Sequence, residues 1–380
     1  MKIVIAPDSF KGSASAKQVA EAIASGWRRI FPGALCELVP MADGGEGTME
    51  ALVDATGGVT KTIRVQDPLG RTIEASFGVL GDGKTAVVEM AEASGLPLLA
   101  PSERNPLLTT TFGTGQLIRA ALEEGIERLL IGLGGSATVD AGAGLVSAMG
   151  AKLLAKNGQE VGPGGGSLGS LAKIELGELP KLLGKVEVLA ACDVDNPLTG
   201  PQGAAAVFGP QKGATPQMVA QLNRNLAHWA QIVARDLRIE VDHLPGAGAA
   251  GGLGACLVAF LGAKLVPGIE MVMSSSGLEE KLKNCDLVIT GEGKLDGQSA
   301  RGKTPMGVAQ LAAKHKIPVL AIGGSIAEDA SLLYNEGIGA MLSIAPGPIS
   351  LSEAIEEGPK LLEETGERAA RIFALAGWKD

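Results

Sequence analysis

Short aliphatic runs alternate with segments of helical period at both ends of this chain, and that alternation constrains the fold more than any other feature. Lys2 to Ala6 reads as a strand of the buried parallel type. Ser15 to Ile30 places Val19, Ile23, Trp27 and Ile30 at helical spacing, with Ser15 and Gln18 as a capping box and Pro32-Gly33 as the stop. A second strand is expected at Ala34 to Val39. The C-terminal hundred residues repeat this grammar: strands at Asp286 to Thr290, Ile317 to Ile322 and Ala340 to Ile344, helices at Pro305 to His315 and near Glu328 to Asn335, and a long final helix over Leu351 to Ala376. Such alternation predicts a parallel, doubly wound sheet.

The middle of the chain differs. Lys61 to Met90 reads as antiparallel strands joined by the turns DPLGR and GDGK, and further strands are expected at Leu129 to Leu133 and Val186 to Ala191. At 380 residues the chain exceeds one comfortable core. The simplest architecture is α/β throughout: a doubly wound domain built from both chain ends (1–62 and 265–380), with a mixed-sheet α/β domain (63–264) inserted. Aromatics reach only 3% while glycine occurs 55 times, so the core must come from Val, Ile, Leu and Ala, and the sites from backbone amides on glycine-rich loops.

Several function classes drop out. The formal net charge is -9, with no basic stripe and no interleaved aromatics, so no nucleic-acid partner is expected. No run reaches the roughly 18–20 apolar residues of a membrane helix, and MKIVIAPDSF reads as a strand rather than a signal peptide. Cys36, Cys192, Cys256 and Cys285 are scattered, as reduced thiols of a cytoplasmic protein would be. His228, His243 and His315 all lie away from the glycine-rich loops, which argues against a His-based triad or zinc site. That leaves a carboxylate as general base, as suits phosphoryl transfer.

Four loops directly after aliphatic runs combine small residues with carboxylates, at the position where open α/β sheets bind ligands. They are Ala6 to Ser13, with Asp8, Ser9 and Lys11; Ala42 to Thr48, with Asp43, Gly44, Gly45 and Glu46; Gly134 to Asp140, with Gly135, Ser136 and Thr138; and Cys192 to Pro197, with Asp193 and Asn196. Each alone reads as a capped turn; four together point to a site. Gly135-Ser136, ahead of an expected helix, suits an anion. The helix dipole supplies only about 0.3–1 kcal/mol, so a cation must help, and Lys11, Lys303 or a bound Mg²⁺ are the candidates. A fifth segment, Thr290 to Thr304, contains the P-loop pattern between Gly297 and Thr304. A strand ending near Thr290 would stop too early for a P-loop, although Lys303 can still meet phosphate. Gly246, Gly248 and Gly251 match a dinucleotide fingerprint, but only the short RIEV precedes them.

The stretches IAPDSFKGS, ADGGEGT, GGSAT, CDVDNPLTG, GAAGGLGA and TGEGKLDGQSARGK together resemble the class I glycerate kinase family, in the family's order and from residue 3 to about 309. One departure is visible: GGSAT continues here as Val139-Asp140-Ala141-Gly142, where the family has Asn-Asp-Gly-Gly. The resemblance implies phosphorylation of D-glycerate by ATP with Mg²⁺, giving 2-phosphoglycerate or the 3-phosphate. It also implies one flavodoxin-like and one inserted α/β domain, with the site between them. On that reading Asp193 is the first choice of base and Asp8 the second, with Lys11 beside them. Gly134, Gly135, Ser136, Thr138 and Lys303 would take the ATP phosphates. Ser9, Asp43, Gly44, Gly45, Glu46, Asn196, Gly251 and Gly252 would surround glycerate, and Glu292 and Asp296 would bind Mg²⁺. A kinase of another small hydroxy acid and a nicotinamide oxidoreductase are the competing readings.

Overall fold

The aliphatic runs of the two chain ends pair into one all-parallel sheet. In the computed structural model, which describes residues 1–299, 303–375 and 377, its strand order is Ala340–Ser343, Val319–Ile326, Leu287–Leu295, Lys2–Pro7, Leu35–Leu38. Numbered along this sheet alone the order is 2-1-3-4-5, the flavodoxin-like one, and its direction reverses between Lys2–Pro7 and Leu287–Leu295. Ile3, Val4, Ile5, Val288 and Ile289 are wholly buried, as central parallel strands require. The helix Ala16–Arg28 starts on the Ser15–Gln18 capping box and packs on the helix Gly358–Leu375. The backbones meet closely there: a Cβ on Gly26 would lie 1.9 Å from the Glu363 carbonyl oxygen.

The chain divides into two compact units, Met1–Asp43 with Glu50–Gly57 and Ile269–Asp380, and Gly44–Met49 with Gly58–Gly268. The second unit holds a six-stranded mixed sheet in the order Lys264–Val266, Glu187–Ala191, Arg128–Gly132, Thr85–Glu89, Thr72–Val79, Val59–Gln66. Its first four strands run parallel and the last two add antiparallel. The hairpin follows from turn chemistry. Asp67 Oδ1 accepts from the Leu69 and Arg71 amides, and Asp82 Oδ1 from those of Lys84 and Thr85. Leu129, Ile131, Val188 and Ala190 fill the core with aliphatic carbon, and Trp229 closes it from the helix Pro216–Leu237.

Four expectations are corrected. The strand after Asp286 does not stop at Thr290 but runs to Leu295, because Glu292, Lys294 and Leu295 go on pairing with Val319–Ile326. The objection to a P-loop based on an early strand end therefore falls; residues 300–302 of that pattern lie outside the described residues. Glu328–Glu336 is a run of 3₁₀ turns, not an α-helix. The final helix is broken into Leu351–Glu356 and Gly358–Leu375, and Ala376 lies outside the described residues. The helix expected just after Gly135-Ser136 begins only at Ala143.

Candidate functional site

In the first unit, loops leave the carboxyl ends of the two strands that flank the sheet's reversal. Asp8 follows one of them, its amide bonded to the Gly291 carbonyl of the other at 2.8 Å. Asp8 Oδ2 accepts from Thr304 Oγ1 at 2.8 Å and Oδ1 from the Ser9 amide at 2.6 Å. Burial pushes the Asp8 carboxyl up, the Thr304 hydrogen bond works against this, and Asp43 adds like-charge repulsion while Lys11 opposes it. Glu292 accepts from Ser299 Oγ and pairs with Lys303 Nζ at 3.6 Å. Its carboxyl too is raised, first by burial, with Asp8 and Asp296 contributing repulsion. Thus Asp8, Lys11, Asp43, Glu292 and Lys303 form one electrostatic cluster.

Asp296 stands at its margin. Its Oδ2 lies 3.1 Å from Lys294 Nζ, and its Oδ1 accepts from the Gln298 and Ser299 amides as a turn residue does. Among the described residues no group of three or more His, Cys, Asp or Glu is arranged to hold a metal. Asp8 and Glu292 are nevertheless hard oxygen donors, whose affinity for protons is raised first by burial and then by neighbouring carboxylates. That donor set fits Mg²⁺, which binds through one or two carboxylates plus substrate phosphates.

In the second unit the candidate loops gather over the carboxyl ends of its parallel strands. Gly44 has φ of +91°, and a Cβ there would fall 2.7 Å from Ala191 Cβ and 2.8 Å from Gly268 Cα. The segment Gly44–Met49 therefore lies directly on the strand ends and accepts no side chain at that point. It is tied down by Glu89, the last residue of its strand, whose Oε1 accepts from the Met49 amide at 2.7 Å and Oε2 from the Gly47 amide at 3.4 Å. Burial, only partly offset by these two amides, raises the Glu89 carboxyl to about 7.

Leu133–Gly142 is the second loop of this group. Gly134 and Gly135 expose their backbone, whereas Ser136 and Thr138 are buried. Thr138 is wholly so, and its hydroxyl lies 3.2 Å from Ser136 Oγ. Val139, at the position where the family string has Asn, is a core residue. Asp140 is wholly buried and accepts from the Thr111 amide and hydroxyl and from the Gly142 and Gly144 amides. It thereby fixes the starts of the helices Phe112–Glu123 and Ala143–Ala148. The helix that follows this loop starts only at Ala143 and not at Gly135, so a cation is needed more than the sequence implied. Lys212 supplies it. It is 2% exposed and donates from Nζ to Thr138 O at 2.7 Å and to Ser136 Oγ at 3.1 Å. Burial pulls its ammonium down to about 7, against the attraction of Asp140.

Asp193 is exposed, and its Oδ1 accepts from the amide of Gly268, the first residue of the helix Gly268–Ser276. Asn196 uses its side-chain NH₂ on Gln202 O. These contacts are those of caps and turns. Ala250, Gly251 and Gly252 are successively left-handed and accommodate the loop at Thr138 to Ala141: Gly251 O accepts from the Ala141 amide at 3.1 Å. No strand precedes Gly246, so the dinucleotide pattern lacks the context it needs.

Sequence reasoning missed Glu89 and Lys212. Glu89 ends an apolar strand and looks like a strand-end charge. Lys212 carried a usable signal: it is the single charged residue between Asp195 and Arg224.

Comparison with known proteins gives this geometry a family. The family model described as the glycerate kinase family matches residues 3–374. The glycerate kinase of Halalkalibacterium halodurans is 50% identical over 99% of this chain and 98% of its own length. The glycerate 2-kinase of Escherichia coli is 52% identical over 93% of each chain. A solved structure from Salmonella typhimurium LT2, assigned provisionally as glycerate kinase 2, superposes with a TM-score of 0.92 at 47% identity over 99% of both chains. With loops and relatives in agreement from end to end, the chain belongs to the glycerate kinase family.

Proposed function

We propose that this chain transfers the γ-phosphoryl group of ATP, with Mg²⁺, to a hydroxyl of D-glycerate and releases 2-phosphoglycerate. The observation that carries the reading is that the chain holds two kinds of site, one in each unit. One is an exposed Gly134–Gly135 backbone backed by a buried cation, suited to phosphate. The other is the cluster of Asp8, Asp43, Glu292, Lys11 and Lys303, suited to a proton acceptor and a hard metal. The name of the Escherichia coli relative supports the 2-position. Use of ATP also supports a cytoplasmic location.

In the reaction the glycerate hydroxyl oxygen forms a bond to the γ-phosphorus, the bond from that phosphorus to the ADP oxygen breaks, and the hydroxyl proton passes to a carboxylate. Asp8 takes precedence over Asp193 for that proton. Its carboxyl is half-buried and raised above its ordinary value, which strengthens it as a base, whereas Asp193 is exposed and holds a helix start. Lys11 and Lys303 neutralise the glycerate carboxylate and the phosphates. Ser9 and Asp43 remain the acceptor-binding candidates of the first unit, and Gly44, Gly45, Glu46, Gly251 and Gly252 those of the second. Mg²⁺, held by Glu292 with Asp296 behind it, would neutralise phosphate charge and fix its orientation.

Phosphorus NMR of a reaction with ATP, Mg²⁺ and D-glycerate tests the proposal. A 2-phosphoglycerate resonance is expected. A 3-phosphoglycerate resonance would move the acceptor hydroxyl, and no product from folded enzyme would overturn glycerate as substrate and call for a screen of other hydroxy acids.

A further inference from the structure

Ser136 has an unusual hydrogen-bond inventory, and Lys212 is the reason. A hydroxyl offers one proton and two lone pairs. Both lone pairs of Ser136 Oγ are taken, by the Lys212 ammonium at 3.1 Å and by the Thr138 amide at 3.2 Å. Among the described residues its proton has only long acceptors: Thr138 Oγ1 at 3.2 Å, Thr138 O at 3.4 Å and Ala250 O at 3.4 Å. A satisfied hydroxyl donor sits nearer 2.7–2.8 Å. Ser136 is therefore held as a donor without a good acceptor, next to the exposed backbone of Gly135.

Lys212 itself makes little sense as a stabilising residue. It sits in a single 3₁₀ turn, Pro210–Lys212, closed by Gly213 in the left-handed conformation. Its ammonium is wholly enclosed, and Asp140 is the charged group that acts on it. Enclosing an ammonium this way costs more than one carboxylate, already shared among four donors, returns. Such an arrangement is retained where the charge serves a ligand.

We propose that Lys212 is a positioning residue for the phosphoryl donor: by occupying Ser136 Oγ as an acceptor, it presents the Ser136 hydroxyl as a hydrogen-bond donor to a phosphate oxygen of the nucleotide. The inference rests on the reading of Gly134–Ser136 as the phosphate loop. The positive charge, one hydroxyl away from the ligand, adds an attraction that the missing helix dipole would otherwise have to supply.

The test compares wild type, Lys212→Met, Ser136→Ala and the double variant in turnover with varied ATP and in thermal melts with and without ATP. Lys212→Met is expected to keep its ligand-free Tm, to lose about 10²-fold in kcat/KM for ATP, and to leave KM for glycerate within about twofold. Ser136→Ala should lose part of the same effect, and the double variant should be no worse than Lys212→Met, because the two act as one unit. The rise in Tm on adding ATP should be large in wild type and reduced in both single variants. Lys212→Gln, which keeps a donor without the charge, replaces Lys212→Met if that variant does not fold, and should give an intermediate loss. An ATP-induced rise that persists in the Lys212 variant overturns the inference alone, as does additivity in the double variant. A wild type whose Tm ignores ATP overturns the phosphate reading as well.

Discussion

The Met49 backbone amide donates to Glu89 Oε1 at 2.7 Å, binding the start of the helix Thr48–Thr56 to a strand end forty residues further along the chain. The Gly47 amide adds a longer bond to Oε2. This carboxylate thus sets the shape of the segment that carries Gly44, Gly45 and Glu46, two of which are candidates to line the acceptor through backbone alone.

Glu89 makes stability fall as pH rises. Its folded-state value, about 7, lies above the ordinary 4.5, so the folded protein binds the proton more tightly than the unfolded chain. Stability from this group is complete below about pH 4.5 and is lost as pH rises through about 7, on the order of 3 kcal/mol in all. Urea midpoints for wild type and Glu89→Gln at pH 5, 6, 7 and 8 should show the slope in wild type and its loss in the variant. Equal slopes would mean that the carboxylate is not strained by burial. Turnover should drop in Glu89→Gln because an amide can satisfy Met49 but offers NH₂, not an acceptor, toward Gly47.

Asp140 holds two helix starts from a position with no solvent exposure. Asp140→Ala leaves the Thr111, Gly142 and Gly144 amides without their acceptor, at a cost of about 3 kcal/mol or more. Asp140→Asn, which retains one oxygen acceptor, should cost less. Chemical denaturation at one pH ranks the three proteins, and an alanine variant within about 1 kcal/mol of wild type would show that water replaces the carboxylate.

Ala141 carries backbone strain. Its φ is +49°, in the left-handed region where a Cβ is unfavourable, and glycine stands at this position in the family string. Ala141→Gly should relieve the strain but gives the unfolded chain more freedom, for a net gain of about 0.5–1 kcal/mol. That corresponds to a Tm higher by roughly 1–3 °C. A lower Tm would indicate that the packing of the alanine methyl outweighs its conformation.

What the sequence revealed and what it hid separate along physical lines. Local chemistry was readable: the Ser15–Gln18 capping box, the Asp67 and Asp82 turns and the alternating grammar of the two chain ends all depend on residues a few positions apart. The continuation of a strand through Gly291–Leu295 was not, because its glycines and charges look like a loop until Val319–Ile326 is beside them. Lys212 and Glu89 were hidden for the same reason. Their burial and their partners, Ser136 and Met49, arise from contacts 76 and 40 positions apart. Conversely, Asp193 looked catalytic because it follows a buried strand, and only the fold shows the Gly268 amide waiting for it.

The choice of base follows from that contrast. Asp8 combines burial, the neighbouring Asp43 charge and a hydrogen bond from Thr304, and these leave its carboxyl above the usual range. Replacing a general base by its amide costs about 10²–10⁴-fold in rate. Asp8→Asn should therefore lose at least 10²-fold in kcat, with a folded protein by circular dichroism. Asp193→Asn keeps an oxygen for the Gly268 amide and should lose less than about tenfold, a margin well short of a base's contribution. Measuring kcat for both variants at saturating ATP and glycerate decides between them: the reverse ranking would restore Asp193 as base and reduce Asp8 to a residue that holds Thr304 and the metal.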